Sequence, residues 1–146
     1  VSYVQPVYPK YKRRDVNKYI PKYTDNQNCI SFAIMKYMTE NADLFPTLEM
    51  ADNALSRYIA QKGKCAILHV ELTLTDMVCL HIKHPKGERN DTYKNLIIVS
   101  KDMARLVKAT TEKAIREIIR GYNLTTEMQE KINKLRAHRE LEAIQF

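Results

Sequence analysis

One stretch of this chain alternates apolar and polar residues every two positions, and this alternation constrains the fold more than any other feature. It runs through residues 64–84, KCAILHVELTLTDMVCLHIKH. Its apolar members are Ala66, Leu68, Val70, Leu72 and Leu74, followed by Val78, Leu80 and Ile82. A period of two is typical of half-buried β-strands. Because opposed residues of a hairpin share a face, the stretch predicts an antiparallel pair with Val70 opposite Leu80.

The other face of the predicted hairpin holds side chains that are capable of chemistry, namely His69, Glu71, Cys79 and His81. A thiol, two imidazoles and a carboxylate are adequate ligands for zinc. Their spacing matches no established zinc pattern, however, and half-buried polar residues under a helix have the same composition. We therefore expect no metal at this position.

The placement of glycines argues against a nucleotide cofactor. The chain has three glycines, Gly63, Gly87 and Gly121, and none lies close to another. Walker loops and dinucleotide-binding loops need clustered glycines, because their backbone must approach the phosphates closely. We expect no cofactor, and Gly87 is best interpreted as a turn residue.

Helical periodicity dominates the rest of the chain after residue 25. Cap candidates open the helices: residues 26–28, Thr47, Ser100 and a capping box of Thr126 with Gln129. Helices are predicted at residues 29–39, 48–61, 101–120 and 127–142, and a third strand at residues 95–99. These elements predict an α+β fold with two N-terminal helices, a three-stranded mainly antiparallel sheet and two C-terminal helices packed on one sheet face.

The N-terminal segment differs from this body in charge and composition. Residues 1–23 hold six Lys and Arg against one Asp, so most of the net charge of +7 lies there. The same residues include five of the nine tyrosines and three of the five prolines. Proline restricts both its own backbone and that of the preceding residue. We therefore predict an extended basic arm at residues 1–24 and a single domain at residues 25–146.

Tyrosines interleaved with cations are suited to single-stranded nucleic acid, where rings stack on bases and cations neutralise phosphates. The exposed face of the predicted helix at residues 101–120 adds a basic ridge. The predicted nucleic-acid contacts are Lys10, Tyr11, Lys12, Arg13, Arg14, Lys18, Tyr19, Lys22, Arg105, Lys108, Arg116 and Arg120. The favoured function is a non-enzymatic basic binding protein within a larger complex. The alternative is a partner, inhibitor or structural subunit that binds an acidic protein surface without nucleic acid.

A further alternative is an enzyme built on Cys29. The string Gln27-Asn28-Cys29 followed by Ala33-Ile34 resembles the nucleophile helix of papain-like viral cysteine proteases. A thiol at a helix N-terminus has a lowered pKa, and an imidazole can act as its base. The catalytic residues that this resemblance implies are Cys29 as nucleophile, His69 or His81 as base, and Glu71 or Asp91 as its orienting partner. If Cys29 is not catalytic, its position at the start of an apolar helix predicts a small core residue.

Composition also predicts where the protein works. No apolar run approaches the roughly 18 to 20 residues that span a bilayer, and the N-terminus lacks the apolar core of a secretion signal. The three cysteines, Cys29, Cys65 and Cys79, are scattered and odd in number, so they do not form a disulfide framework. We expect a cytoplasmic protein in a reducing compartment that does not contact a membrane.

Overall fold

The computed structural model of this protein describes residues 29–83 and 89–146. Within these ranges the chain forms five α-helices and a two-stranded antiparallel sheet. The helices are α1 (Phe32–Glu40), α2 (Leu48–Ala60), α3 (Lys101–Lys108), α4 (Glu112–Ile119) and α5 (Thr126–His138), and the strands are β1 (Val78–His81) and β2 (Leu96–Val99). Short 3-10 turns lie at Ala42–Leu44 and Tyr93–Asn95. The mixed α+β class predicted from the sequence is confirmed.

Several predictions concern residues outside these ranges. The arm at residues 1–24 and the cap candidates at residues 26–28 lie outside the described residues. The same holds for eight predicted nucleic-acid contacts, which are Lys10, Tyr11, Lys12, Arg13, Arg14, Lys18, Tyr19 and Lys22.

Short hydroxyl side chains fix where the helices begin. Ser31 Oγ accepts a hydrogen bond from the backbone N–H of Ile34 at 3.3 Å, so α1 begins at Phe32 and not at Cys29 as predicted. Thr47, Thr111 and Thr125 cap α2, α4 and α5 in the same way. An oxygen at the cap satisfies an N–H that has no partner inside the helix.

The sheet pairs β1 with β2, so the predicted third strand lies beside the second half of the predicted hairpin. Val78 opposes Val99 and Leu80 opposes Ile97. Paired residues share a face, so Cys79, His81, Leu96 and Ile98 lie on the opposite face. Leu96, Ile98 and Val99 are fully buried. The sheet therefore lies inside the hydrophobic core.

Residues 64–74 do not form the predicted first strand. The backbone N–H of Cys65 bonds to the carbonyl of Val70 at 2.8 Å, and that of His69 bonds to the carbonyl of Cys65 at 3.0 Å. His69 has a φ of +58°, so the chain turns back on itself here. Cys65 and Ile67 are buried, whereas Val70 is 54% exposed. The predicted pairing of Val70 with Leu80 and the predicted face assignment are both wrong.

The outer edge of β2 is occupied by a side chain in place of a third strand. Gln61, which follows α2, accepts from the backbone N–H of Ile98 at 3.0 Å and donates to its carbonyl at 2.8 Å. Ala66 N–H donates to the same carbonyl at 3.0 Å. A primary amide carries a donor and an acceptor, as a peptide group does, so Gln61 replaces a strand at this position. The prediction of three strands is therefore wrong for the described residues.

The predicted helix at residues 101–120 is two helices. Ala109 has an extended backbone, and Thr111 caps the new helix α4. Buried Arg136 of α5 donates to the carbonyls of Leu106 at 2.9 Å and Ala109 at 2.7 Å. These bonds satisfy carbonyls at the end of α3, where the Leu106 carbonyl also accepts a long bond from the N–H of Ala109 at 3.4 Å. The break is stable because a cap opens the second helix and a guanidinium closes the first.

Asp76, and not the Ser100 side chain, satisfies the start of α3. Ser100 occupies the predicted cap position, but its side chain makes no cap bond. Asp76 Oδ1 instead accepts from the backbone N–H of Lys101 at 2.9 Å. A carboxylate near a helix N-terminus is also favoured by the helix dipole.

Replacing Gln61 by leucine should destabilise the fold, because the N–H and carbonyl of Ile98 lose their side-chain partner. The carbonyl keeps the N–H of Ala66 as a partner, so the N–H of Ile98 is the group left unsatisfied. One buried polar group without a partner costs about 1 to 3 kcal/mol, so we expect the free energy of unfolding to fall by about 1 to 3 kcal/mol. Urea denaturation measures this difference. The matched control is Gln145→Leu at an exposed position, which should change stability by less than about 0.5 kcal/mol. Equal effects of the two substitutions would contradict the role of Gln61.

Candidate functional site

The densest group of polar side chains surrounds Asp91, whose side chain is 3% exposed. Its Oδ1 atom lies 2.7 Å from His81 Nε2, and its Oδ2 atom accepts from Thr47 Oγ1 at 2.6 Å. Arg89 donates to Oδ2 from Nε at 3.1 Å and to Oδ1 from Nη2 at 3.2 Å. The structure therefore brings together His81 and Asp91, one of the base and partner combinations that the sequence suggested.

Further hydrogen bonds hold the backbone around this carboxylate. Asn53 of α2 donates from Nδ2 to the carbonyl of Asp91 at 2.8 Å. The Asn95 side chain accepts from the N–H of Lys83 at 2.9 Å and donates to the carbonyl of Asn90 at 2.8 Å. These bonds join the segment before β2 to α2 and to the end of β1. The cluster thus connects three parts of the chain that are distant in sequence.

The ionisation of Asp91 follows from its surroundings. Burial acts to raise the pKa of this carboxyl, but the hydrogen bonds from Arg89, Thr47 and His81 outweigh burial and lower the pKa to about 2. Each oxygen accepts two hydrogen bonds, so the usual four acceptor positions of a carboxylate are filled. Asp91 is therefore a charged anchor with no acceptor position left for a substrate.

The two cysteines considered for chemistry lie in different settings. Cys79 shares a sheet face with His81, and its pKa is raised to about 12 by burial and then by the negative charge of Asp91. A thiol with this pKa is protonated at neutral pH and is a poor nucleophile. Cys29 precedes α1 and donates its backbone N–H to the carbonyl of Lys62 at 2.8 Å. A Cβ atom on Gly63 would collide with the Cys29 carbonyl, so glycine permits this close approach.

The four side chains predicted to share one face are separated. His69 and Glu71 are exposed on the turn that replaces the first strand, whereas Cys79 and His81 are half-buried on β1. His69 Nε2 lies 3.4 Å from Lys131 Nζ of α5. In residues 29–83 and 89–146, no group of three or more Cys, His, Asp and Glu side chains is arranged to hold a metal ion.

The predicted basic ridge is divided between two helices. Arg105 and Lys108 lie on α3, Arg116 lies on α4, and Arg120 follows α4. Arg116 is engaged by Glu112 Oε1 at 2.6 Å and by the carbonyl of Gln145 at 2.6 Å.

On α3, a stripe of cations runs along the exposed face. Its members are Lys101, Arg105 and Lys108, at positions i, i+4 and i+7, and all three are exposed. Arg105 Nη1 lies 3.4 Å from Asp102 Oδ1. Such an exposed ion pair contributes little to stability. We call these three residues the α3 stripe. Lys101 was not among the predicted contacts, although its helical spacing from Arg105 and Lys108 is visible in the sequence.

Two apolar depressions were not predicted. The first, which we call the α5 pocket, has a volume of about 300 Å³ and is lined by Ala66, Ile67, Ile82, Ile97, Lys131, Lys134, Leu135 and His138. The second, the α1 groove, has a volume of about 200 Å³ and is lined by Tyr37, Met38, Asn41, Leu44, Phe45, Leu74, Met77, Cys79 and Ile98. For the α5 pocket, the spacing of the cations on α5 was visible in the sequence. The opposite wall could not be predicted, because it comes from segments distant in sequence.

Comparison of the chain with family models, with curated proteins and with solved structures finds no match. Among the helices of the described ranges, none has the length and apolar character needed to cross a bilayer.

Replacing Asp91 by asparagine should reduce stability in a pH-dependent way. Since the pKa of Asp91 is lowered by folding, its contribution is fully present above about pH 4 and is lost as the pH falls toward about 2. At neutral pH we expect the free energy of unfolding to fall by about 3 kcal/mol, because Thr47, His81 and Arg89 lose the charged acceptor to which they donate. Denaturant unfolding of both proteins across this pH range measures the difference, which should shrink with acidification.

The matched control for this experiment is Asp43→Asn, at an exposed position. It should change stability by less than about 0.5 kcal/mol at neutral pH. A difference between wild type and Asp91→Asn that stays constant from neutral to acidic pH would contradict the depressed pKa of Asp91.

Proposed function

We propose that this protein is a non-enzymatic binding protein that contacts the phosphate backbone of single-stranded nucleic acid through the α3 stripe. The single observation that carries the proposal is the division of α3 into two faces. Four residues, Met103, Ala104, Leu106 and Val107, are buried, and the exposed face presents a cation at each turn. A charged outer face also serves solvation, but a face with this sign bias attracts phosphates.

The dimensions of the stripe are compatible with a nucleic-acid backbone. A helix rises about 1.5 Å per residue, so the stripe spans about 10 Å along the axis of α3. A strand with the base stacking of B-DNA carries one phosphate per about 3.4 Å of axis, so this length corresponds to at most about three phosphates. The stripe can therefore follow one strand over a few nucleotides.

The distribution of charge along the chain also favours the segment that contains the α3 stripe as the phosphate-binding surface. Residues 101–146 contain ten Lys and Arg against seven Asp and Glu, whereas residues 29–83 and 89–100 together contain seven of each. The excess positive charge of the described body thus belongs to the segment that contains α3, α4 and α5. The basic residues between Lys10 and Lys22 would add to this field, because long-range attraction depends on the summed charge.

The polar cluster supports a binding role over a catalytic one. Asp91 has its acceptor positions filled, and Cys79 is a protonated thiol at neutral pH. A general base or nucleophile needs free capacity at the reacting atom. Cys29 lies two residues before Ser31, the cap of α1, so its thiol is not at the first turn of that helix, and we place a cysteine hydrolase that uses Cys29 below a binding protein.

Replacing Arg105 and Lys108 together by alanine should weaken binding of a fluorescent oligothymidylate. Loss of two phosphate contacts should lower the magnitude of the slope of log affinity against log salt by about 1.4, since each contact to a single strand contributes about 0.7. Fluorescence anisotropy over about 50 to 200 mM salt measures the affinity and the slope. We expect affinity to fall by about tenfold at the lower salt concentrations.

The matched control replaces Lys36 and Lys94, two exposed cations outside the C-terminal helices, by alanine. This variant has the same net charge as the first one, so it isolates the position of the charge from its amount. Wild-type protein that does not bind the oligonucleotide, or equal losses in the two variants, would refute the proposed contact.

A second candidate function is docking of a protein partner at the α1 groove. The observation that favours it is the exposure of large apolar side chains on the groove wall, where Tyr37 is 41%, Leu44 65% and Leu74 45% exposed. Adjacent exposed apolar residues mark surfaces that bind apolar side chains of other proteins. In this alternative the charge of the α3 stripe serves solvation only.

Comparing Leu44→Glu with Arg105→Ala/Lys108→Ala distinguishes the two functions. The measurement is copurification from the native source at low salt, followed by identification of the bound polypeptide or nucleic acid. If the partner is a protein that docks in the groove, Leu44→Glu should lose it while the charge variant keeps it. The reverse pattern, with loss of nucleic acid from the charge variant alone, would contradict docking at the groove.

A further inference from the structure

The α5 pocket combines an aliphatic floor with a cationic rim. The floor consists of side chains without aromatic rings or hydroxyl groups, namely Ala66, Ile67, Ile82, Ile97 and Leu135. The rim comes from one side of α5, where Lys131, Lys134 and His138 recur at helical spacing. None of these eight lining residues is acidic. The pocket is therefore apolar at its base and positive at its mouth.

The rim is held in place by contacts with the facing wall. Lys131 Nζ donates to the carbonyl of Ala66 at 3.3 Å and lies 3.4 Å from His69 Nε2. Arg139 Nη1, one residue beyond the rim, donates to the carbonyl of Ile82 at 3.2 Å. These bonds join α5 to the two segments that form the opposite wall. The pocket is thus a built feature and not a gap between loosely packed elements.

From this geometry we infer that the α5 pocket binds the carboxylate and alkyl chain of a medium-chain fatty acid. The alkyl chain lies on the aliphatic floor, and the carboxylate accepts hydrogen bonds from the rim cations. Lys134 is exposed and lies within the rim, so its ammonium group is available to a ligand. Ligand pockets generally have this combination of an apolar lining and a few convergent polar groups.

The volume and lining select this class of ligand. A volume of about 300 Å³ equals that of roughly ten water molecules at about 30 Å³ each, which is enough for a chain of roughly eight carbons. The floor has no aromatic ring on which a nucleobase could stack, and the one ring in the lining is the His138 imidazole at the rim. Rim cations favour an anion over a neutral or cationic head group. The inference is independent of the proposed nucleic-acid contact, because no residue of the α3 stripe lines the pocket.

The test is a titration of the full chain with hexanoate, octanoate and decanoate. Binding is measured at each step from the NMR signals of the methyl groups. Signals of Ile82, Ile97 and Leu135 should shift, whereas those of Ile115 on α4 should not. Each added methylene that enters the pocket should improve affinity by about fourfold, until the floor is filled. Octanol should bind at least about tenfold more weakly than octanoate, and octyltrimethylammonium more weakly still.

Two variants test the rim and the floor separately. Lys134→Glu should weaken octanoate binding by about tenfold or more, while the matched charge reversal Lys113→Glu on α4 should leave it unchanged. Ala66→Leu narrows the floor and should weaken decanoate more than hexanoate. Should Ala66→Leu fail to fold, the ligand series on the wild-type chain still decides the outcome.

Three results would overturn the inference. These are affinity that does not depend on chain length, equal binding of octanoate and octyltrimethylammonium, and methyl shifts confined to the α1 groove. Equal effects of Lys134→Glu and Lys113→Glu would overturn the role of the rim.

Discussion

The hydrogen bonds between Gln61 and Ile98 are the constraint on which the central part of this structure depends. A strand inside the core must have partners for its N–H and carbonyl groups on both sides, because each unpaired group costs free energy. On one side of β2 these partners come from β1, and on the other from a single amide side chain and Ala66. The edge is thereby closed, and residues 64–74 are free to turn.

The turn at residues 64–74 contributes residues to the core, to the α5 pocket and to the α1 groove. It places Cys65 and Ile67 in the core and leaves Val70 and Leu74 exposed. Ala66 and Ile67 become part of the floor of the α5 pocket, and Leu74 becomes part of the wall of the α1 groove. Residues of both candidate binding sites are therefore placed by the turn that begins beside the Gln61–Ile98 hydrogen bonds.

The two buried charged side chains of the described ranges, Asp91 and Arg136, have their hydrogen bonds satisfied, and this explains why they are weak candidates for chemistry. Asp91 accepts four hydrogen bonds, and Arg136 donates to three carbonyls, those of Leu106, Ala109 and Glu142. Burial lowers the pKa of the Arg136 guanidinium, and the charge of Glu142 opposes this effect. Such networks hold distant segments together. The groups with free capacity are exposed cations, which is why the proposals concern binding.

Sequence alone determined the helix starts at Thr47 and in the last helix to within a residue or two, the β2 strand and the α+β class. Caps and periodicity depend on residues within about four positions of each other, so these features are local. The pairing of His81 with Asp91 was one of several combinations that the sequence allowed. Only tertiary structure decided that Gln61 reaches Ile98, 37 positions away. The same holds for the α5 pocket, whose rim and floor come from different segments. Alternation of apolar residues predicts a strand only where a neighbouring edge is open, and that condition depends on long-range packing.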